Sequence, residues 1–168
     1  MAETIVPDVF IISEDKMKSN KLSHTNDDGM VKMVDVGDKE TSIRMARAKG
    51  HISLRKKTID LIVENNLKKG SVLSCAQIAG IMAAKRCSEI IPLCHQLMLT
   101  KIDVSVNVDN TGVYVESVAG CTGQTGAEME ALTAVSVALL TVYDMCKAVD
   151  KSMVIDNTEL IEKSKLLP

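Results

Sequence analysis

Ile102-Asp103-Val104-Ser105-Val106-Asn107-Val108 alternates apolar with polar residues, Asp109-Asn110-Thr111-Gly112 follows, and Val113-Tyr114-Val115-Glu116-Ser117-Val118 returns. A period of two marks a strand with one face in a core, and a short glycine-closed turn joins two such strands antiparallel. Upstream, Ser42 to Leu54 puts Ala46, Ala48, Ile52 and Leu54 on one parity and Arg47, Lys49 and His51 on the other. That predicts a half-buried strand with a basic outer face, and Gly50 marks a candidate bulge. Ile59, Ile62 and Val63 recur at helical spacing until Lys68-Lys69-Gly70 ends the run. Ser74 to Gln77 reads as a capping box opening a helix to about Ser88, before Pro92 breaks the chain. A second box, Thr125-Gly126-Ala127-Glu128, opens a helix reaching about Val149. Short strands are predicted at Met33–Val36 and Met153–Ile155. The order strand, helix, helix, hairpin, long helix, strand is that of an α+β layer, with helices on one face of an antiparallel sheet.

The 168 residues fit one domain of ordinary size. Residues 1–20 read as a mobile N-terminal extension, and 21–168 as a single catalytic domain. Lys and Arg number 20 against 22 Asp and Glu, a net charge of −2, and the only aromatics are Phe10, Tyr114 and Tyr143. Such a chain lacks both the basic surface and the stacking platforms of a nucleic-acid binder. The five cysteines (Cys75, Cys87, Cys94, Cys121 and Cys146) form no C-x-x-C pair, so free thiols in a reducing compartment are expected. Residues 1–20 do not have the pattern of a signal peptide, and the charge-free stretch Ala131–Tyr143 is short for a bilayer. The expected setting is cytoplasmic, with no membrane partner.

Several residues could carry chemistry. On the long helix Glu130, Thr133, Ser136, Thr141, Asp144 and Lys147 form one polar stripe on an otherwise apolar cylinder. Asp144 and Lys147, three apart, can exchange a proton or form a surface ion pair, and geometry alone favours the ion pair. Lys85 falls among Ile78, Ile81 and Met82, where a lysine must snorkel, pair or face a cavity. Cys94-His95 after Pro92 could be a proton-transfer site or core, and a zinc site would need more ligands than this spacing offers. Cys121 to Gly126 leads into a helix N-terminus, which can hold an anion, although a P-loop lysine is missing.

Together these stretches resemble the molybdenum cofactor biosynthesis protein C family, the cyclic pyranopterin monophosphate synthases. The resemblance rests on Met33-Val34-Asp35-Val36, Ile78 to Arg86, Ile91-Pro92-Leu93-Cys94-His95, Thr122 to Ala134, and Tyr143 to Val149. It implies a ferredoxin-like α+β fold and a homohexamer built as a trimer of dimers, with active sites between subunits. The implied reaction takes 3′,8-cyclised dihydro-GTP to cyclic pyranopterin monophosphate and pyrophosphate, with no cofactor and no metal. Carried over by motif, Asp144 and Lys147 become the catalytic pair. Leu93, Cys94, His95, Met129 and Glu130 line the substrate, with Glu128 adjacent. Arg44, Lys69, Lys85 and Lys163 take the basic positions around the phosphates and the reacting centre. Gln96 stands where the family has Pro, and Lys163–Pro168 lacks the family's Gly-Gly-Lys-Ser-Gly continuation. A non-catalytic oligomeric binding module and a metal-dependent hydrolase using Cys94 and His95 are the rival readings. The apolar long helix and β-branched hairpin further lead us to expect an obligate oligomer.

Overall fold

The computed structural model of the chain describes residues 9–10, 24–25, 28–65, 67 and 70–166. In order these form β1 (Val9–Phe10), β2 (Ser42–Ser53), α1 (Lys56–Val63), α2 (Val72–Lys85), α3 (Cys87–Ile90), β3 (Leu99–Val108), β4 (Gly112–Gly123), α4 (Glu128–Cys146) and β5 (Val154–Leu166). Most of the expected N-terminal extension, and Lys69, lie outside the described residues. One antiparallel sheet runs β1-β5-β2-β4-β3. Its long strands follow the β-α-β-β-α-β path of a ferredoxin-like α+β fold, with α2 and α4 packed on one face.

The hairpin is closed by Asp109, whose carboxylate accepts from the Thr111 hydroxyl at 2.7 Å and from the Thr111 and Gly112 backbone N–H groups. Those bonds, the hydroxyl's first, pull the Asp109 pKa down to about 2. Gly112 is obligatory there, because a Cβ would collide with the Ile52 carbonyl of β2. On β2 the expected parity holds: Ala46, Ala48 and Ile52 are buried in the core. Gly50 skips pairing with β5, and α4 presses close at this point; an added Cβ would lie 2.7 Å from Val135 Cγ1 and 2.8 Å from Leu139 Cδ1.

The last strand is far longer than Met153–Ile155. β5 continues through polar residues because the open sheet face pairs their charges: Arg47 bonds Glu116 and Glu162, and Lys49 meets Glu159 at 3.1 Å. Met33–Val36 is not a strand. It is irregular, with Asp35 Oδ1 accepting from the Gly37 N–H and no ladder partner. Both capping boxes shift. Ser71, not Ser74, caps α2, and Gln77 donates instead to the Val104 carbonyl of β3 at 2.8 Å. The α4 N-cap is Ala127, without a side-chain bond. α2 ends at Lys85 and α3 is a separate turn; Val63 on α1 is exposed.

The expected apolar face of α2 is also turned around. Its small residues Ala76, Gly80, Ala83 and Ala84 face the core, while Ile78 and Met82 are 58% and 49% exposed. Gly80 allows this, since a Cβ there would lie 2.9 Å from the Ala134 carbonyl oxygen. By length and apolar composition α4 could cross a bilayer, yet it lies as a core helix against the sheet and α2.

Candidate active site

Three adjoining clefts gather most of the candidate residues. The first, about 120 Å³, lies between β2, β5 and the start of α4, and is lined by Arg44, Glu128, Lys163 and Lys165. The Arg44 guanidinium donates to the carbonyls of Gly123 and Gln124 at 3.2 and 3.1 Å, which fixes its plane. Lys163 Nζ stands 3.4 Å from Glu128 Oε1. Gly126 and Glu128 also line the second cleft, about 240 Å³, with Leu93, Cys94, His95, Met129 and Glu130. Leu97 connects this to a third, about 350 Å³, where Lys85 and Lys101 sit beside Thr100.

The loop after α3 is shaped by Pro92 and by successive turns, Ile91 N–H to the Cys87 carbonyl and Cys94 N–H to the Ile91 carbonyl. It delivers Cys94 and His95 beside the first turn of α4. His95 Nε2 lies 2.7 Å from the Val34 carbonyl oxygen. A carbonyl only accepts, so Nε2 holds the proton and Nδ1 is the acceptor of the neutral ring. Glu130 is 4% exposed. Its burial, assisted by the charge of Glu128, pushes its pKa up. Burial likewise raises the Cys94 thiol, and takes Cys87 to about 12. These thiols stay protonated, and among the described residues no cluster of three or more His, Cys, Asp or Glu could hold a metal.

Asp144 and Lys147 form their own pair at the other end of α4. Lys147 Nζ lies 2.6 Å from Asp144 Oδ1, with both side chains more than half exposed. The hydrogen bond with Asp144, and then its charge, hold the Lys147 pKa up. Just beyond, Asp150 is fully buried and anchors the helix end to the start of α1. It accepts from the Arg55 backbone N–H and Nε, both at 2.9 Å, from Thr58 Oγ1 at 3.0 Å, and from Ser152. Burial alone would raise the Asp150 pKa, but these donors outweigh it and hold the carboxyl below the usual range.

Residues 33–165 match the model of the MoaC family. The chain belongs to the MoaC family. A relative from Chloroflexus aggregans is 52% identical over 146 residues, 86% of this chain and 88% of the relative, and is named cyclic pyranopterin monophosphate synthase. A relative from Thermoanaerobacter sp. with the same name is 50% identical over 145 residues, covering 85% and 92%.

Within this family member the first two clefts bring together Arg44, Lys163, Glu128, Leu93, Cys94, His95, Met129 and Glu130, and the third adds Lys85. Lys85 is exposed, not set in a buried apolar face as its neighbours in sequence suggest. Asp144 and Lys147 are not brought to these clefts. Fourteen residues separate Glu130 from Asp144 on one helix, about 21 Å at the helical rise. Sequence reasoning passed over Lys165. The signal was present in the period of two that puts Lys163 and Lys165 on one face of a strand, but the last strand was expected only over Met153–Ile155.

Proposed function

We propose that this chain is a cyclic pyranopterin monophosphate synthase, a lyase acting on 3′,8-cyclised dihydro-GTP and releasing pyrophosphate. The observation that carries the reading is the meeting of Arg44, Lys163, Leu93–His95, Met129 and Glu130 around adjoining clefts, in a chain half identical to proteins of that name. The clefts offer cations for a phosphate chain beside a recess lined by Leu93, Leu97 and Met129 for the ring. Arg44 and Lys163 stabilise the charge that develops as pyrophosphate leaves. Rearranging a purine ring and closing a cyclic phosphate need proton transfers at several heteroatoms, which Asp144, Lys147 and His95 supply. Lys85 adds a cation at the reacting centre, and Lys69 is assigned to the same basic set. No redox cofactor enters the reaction.

A separation of about 21 Å along α4 keeps Asp144 and Lys147 from acting on substrate in the clefts of their own chain. We therefore assign the working site to two copies, one giving the clefts and the other the acid–base pair, in a homohexamer of three dimers. Ile78, Met82, Met98, Leu140 and Tyr143 are exposed apolar side chains in keeping with such contacts. The assembly acts in the cytoplasm, with residues 21–168 as the catalytic domain and 1–20 as an extension. Incubating the pure protein with the cyclised nucleotide should yield the cyclic pterin and one pyrophosphate per turnover. Absence of both products would overturn the reading.

A further inference from the structure

The charges on the two faces of the sheet are balanced differently. On the open face Arg47 is matched by Glu116 and Glu162, and Lys49 by Glu159. On the helix-bearing face, Arg44, Lys163 and Lys165 converge on the cleft of about 120 Å³, with Glu128 as the sole carboxylate among the described residues that line it. Arg44 and Lys165 are direct partners in the β2–β5 register, an arrangement in which like charges repel. Glu128 is already engaged by Lys163 and folded back over Gly126, where any Cβ would collide with its carboxylate. The bonds from Arg44 go to neutral carbonyls and cancel none of its charge. Among the described residues Lys165 makes no ion pair. A chain with a net charge of −2 thus concentrates an excess of two positive charges at one small cleft.

We propose that Lys165 is a further phosphate-binding cation of this cleft, beside Arg44 and Lys163. The family resemblance gives Lys165 no such role. Choosing a phosphate chain as the anion rests on the synthase reading. The group arrives either as the tail of the substrate or as the free product. Two anionic phosphates relieve the Arg44–Lys165 repulsion, and a flexible lysine can follow the group as its bond to the nucleotide breaks.

The test is calorimetric titration of the full chain with inorganic pyrophosphate at low salt. Wild type should bind, Lys165→Ala should weaken binding about tenfold, the loss of one charge-assisted hydrogen bond, and Lys165→Arg should restore it. Lys49→Ala, which removes a cation from the opposite face, should leave binding unchanged. Turnover identifies the source of the group. If the substrate tail occupies the cleft, Lys165→Ala raises KM and spares kcat. If free product alone does, KM holds while inhibition by pyrophosphate weakens. The proposal is overturned if wild type does not bind pyrophosphate, if Lys165→Ala binds as tightly as wild type, or if Lys49→Ala loses as much. Failure of the synthase reading looks different, with Lys165-dependent pyrophosphate binding and no turnover.

Discussion

At the N-terminal end of α4 the polar side chains Glu130 and Thr133 are buried, whereas at its C-terminal end Asp144 and Lys147 stand in solvent. Both pairs belong to one stripe on one helix. Glu130 lines a cleft with Cys94 and His95 and Thr133 meets Cys87, whereas the second pair bonds within itself. Between them Ser136 and Thr141 are half-buried and turn their hydroxyls back to the carbonyls of Leu132 and Val137. Helical periodicity therefore identifies a stripe but not its surroundings, which depend on what the rest of the chain lays across it. On our reading one end recognises the substrate and the other moves protons.

The largest effects are expected at the exposed end. Asp144→Asn and Lys147→Ala should each cut product formation by about 10²–10⁴-fold, while the cyclised nucleotide still binds. The double variant should be little worse than either single one, because groups on one proton path act as a unit. Independent, multiplying losses in single-turnover assays would dissolve the contrast between the two ends. Mixing Asp144→Asn with Arg44→Ala protein should restore part of the activity through mixed sites, sharpening it.

Lys85→Met should lower turnover about 10²-fold with an unchanged melting temperature, since Lys85 is exposed and Met suits its apolar neighbours. Normal turnover would return Lys85 to the surface.

Next in size is the anchor beyond the Asp144–Lys147 pair. Asp150→Ala removes a buried acceptor with several donors and should cost about 2 kcal/mol in denaturant melts at neutral pH. Because the folded state holds the Asp150 pKa down, its contribution is present above the ordinary aspartate range and is lost as pH falls through the folded value. The difference between wild type and variant should therefore shrink in acid.

Glu130→Gln is expected to be mildest, raising KM about tenfold while leaving the melting temperature equal or higher once pH has risen past the folded-state value of Glu130. Here the sign reverses. Burial raises the Glu130 pKa, so its contribution is full below the ordinary carboxylate range and is lost as pH rises through the folded value. The two ends of one helix should thus shift stability with pH in opposite directions.

Legibility in the sequence followed how local each cause was. The β3–β4 hairpin and β2 were plain from alternation, because burial on one face imposes a period of two. Only the start of β5 was legible, since the charges farther along it are stabilised by partners on β2 that no local window contains. The buried face of α2 was misjudged for a related reason: Ala76, Gly80 and Ala84 enter the core by being small, and Ile78 and Met82 are kept out by the closeness of α4. The cleft-lining residues came through the family motifs. Their convergence depended on strand register, as did the notice of Lys165.

The near contact of Gly80 with the Ala134 carbonyl has a consequence in time rather than in space. Helices this close cannot slide past one another by rotamer changes alone, so α2 and α4 must separate before either can fray through its middle. Their central amides should exchange with solvent together and last, in the slowest cooperative unit of the chain. The Cys94–His95 loop at one end of this strut should open on a faster clock without loosening it, whereas the turn beyond Lys147 is tied down by Asp150 and should open only with α1.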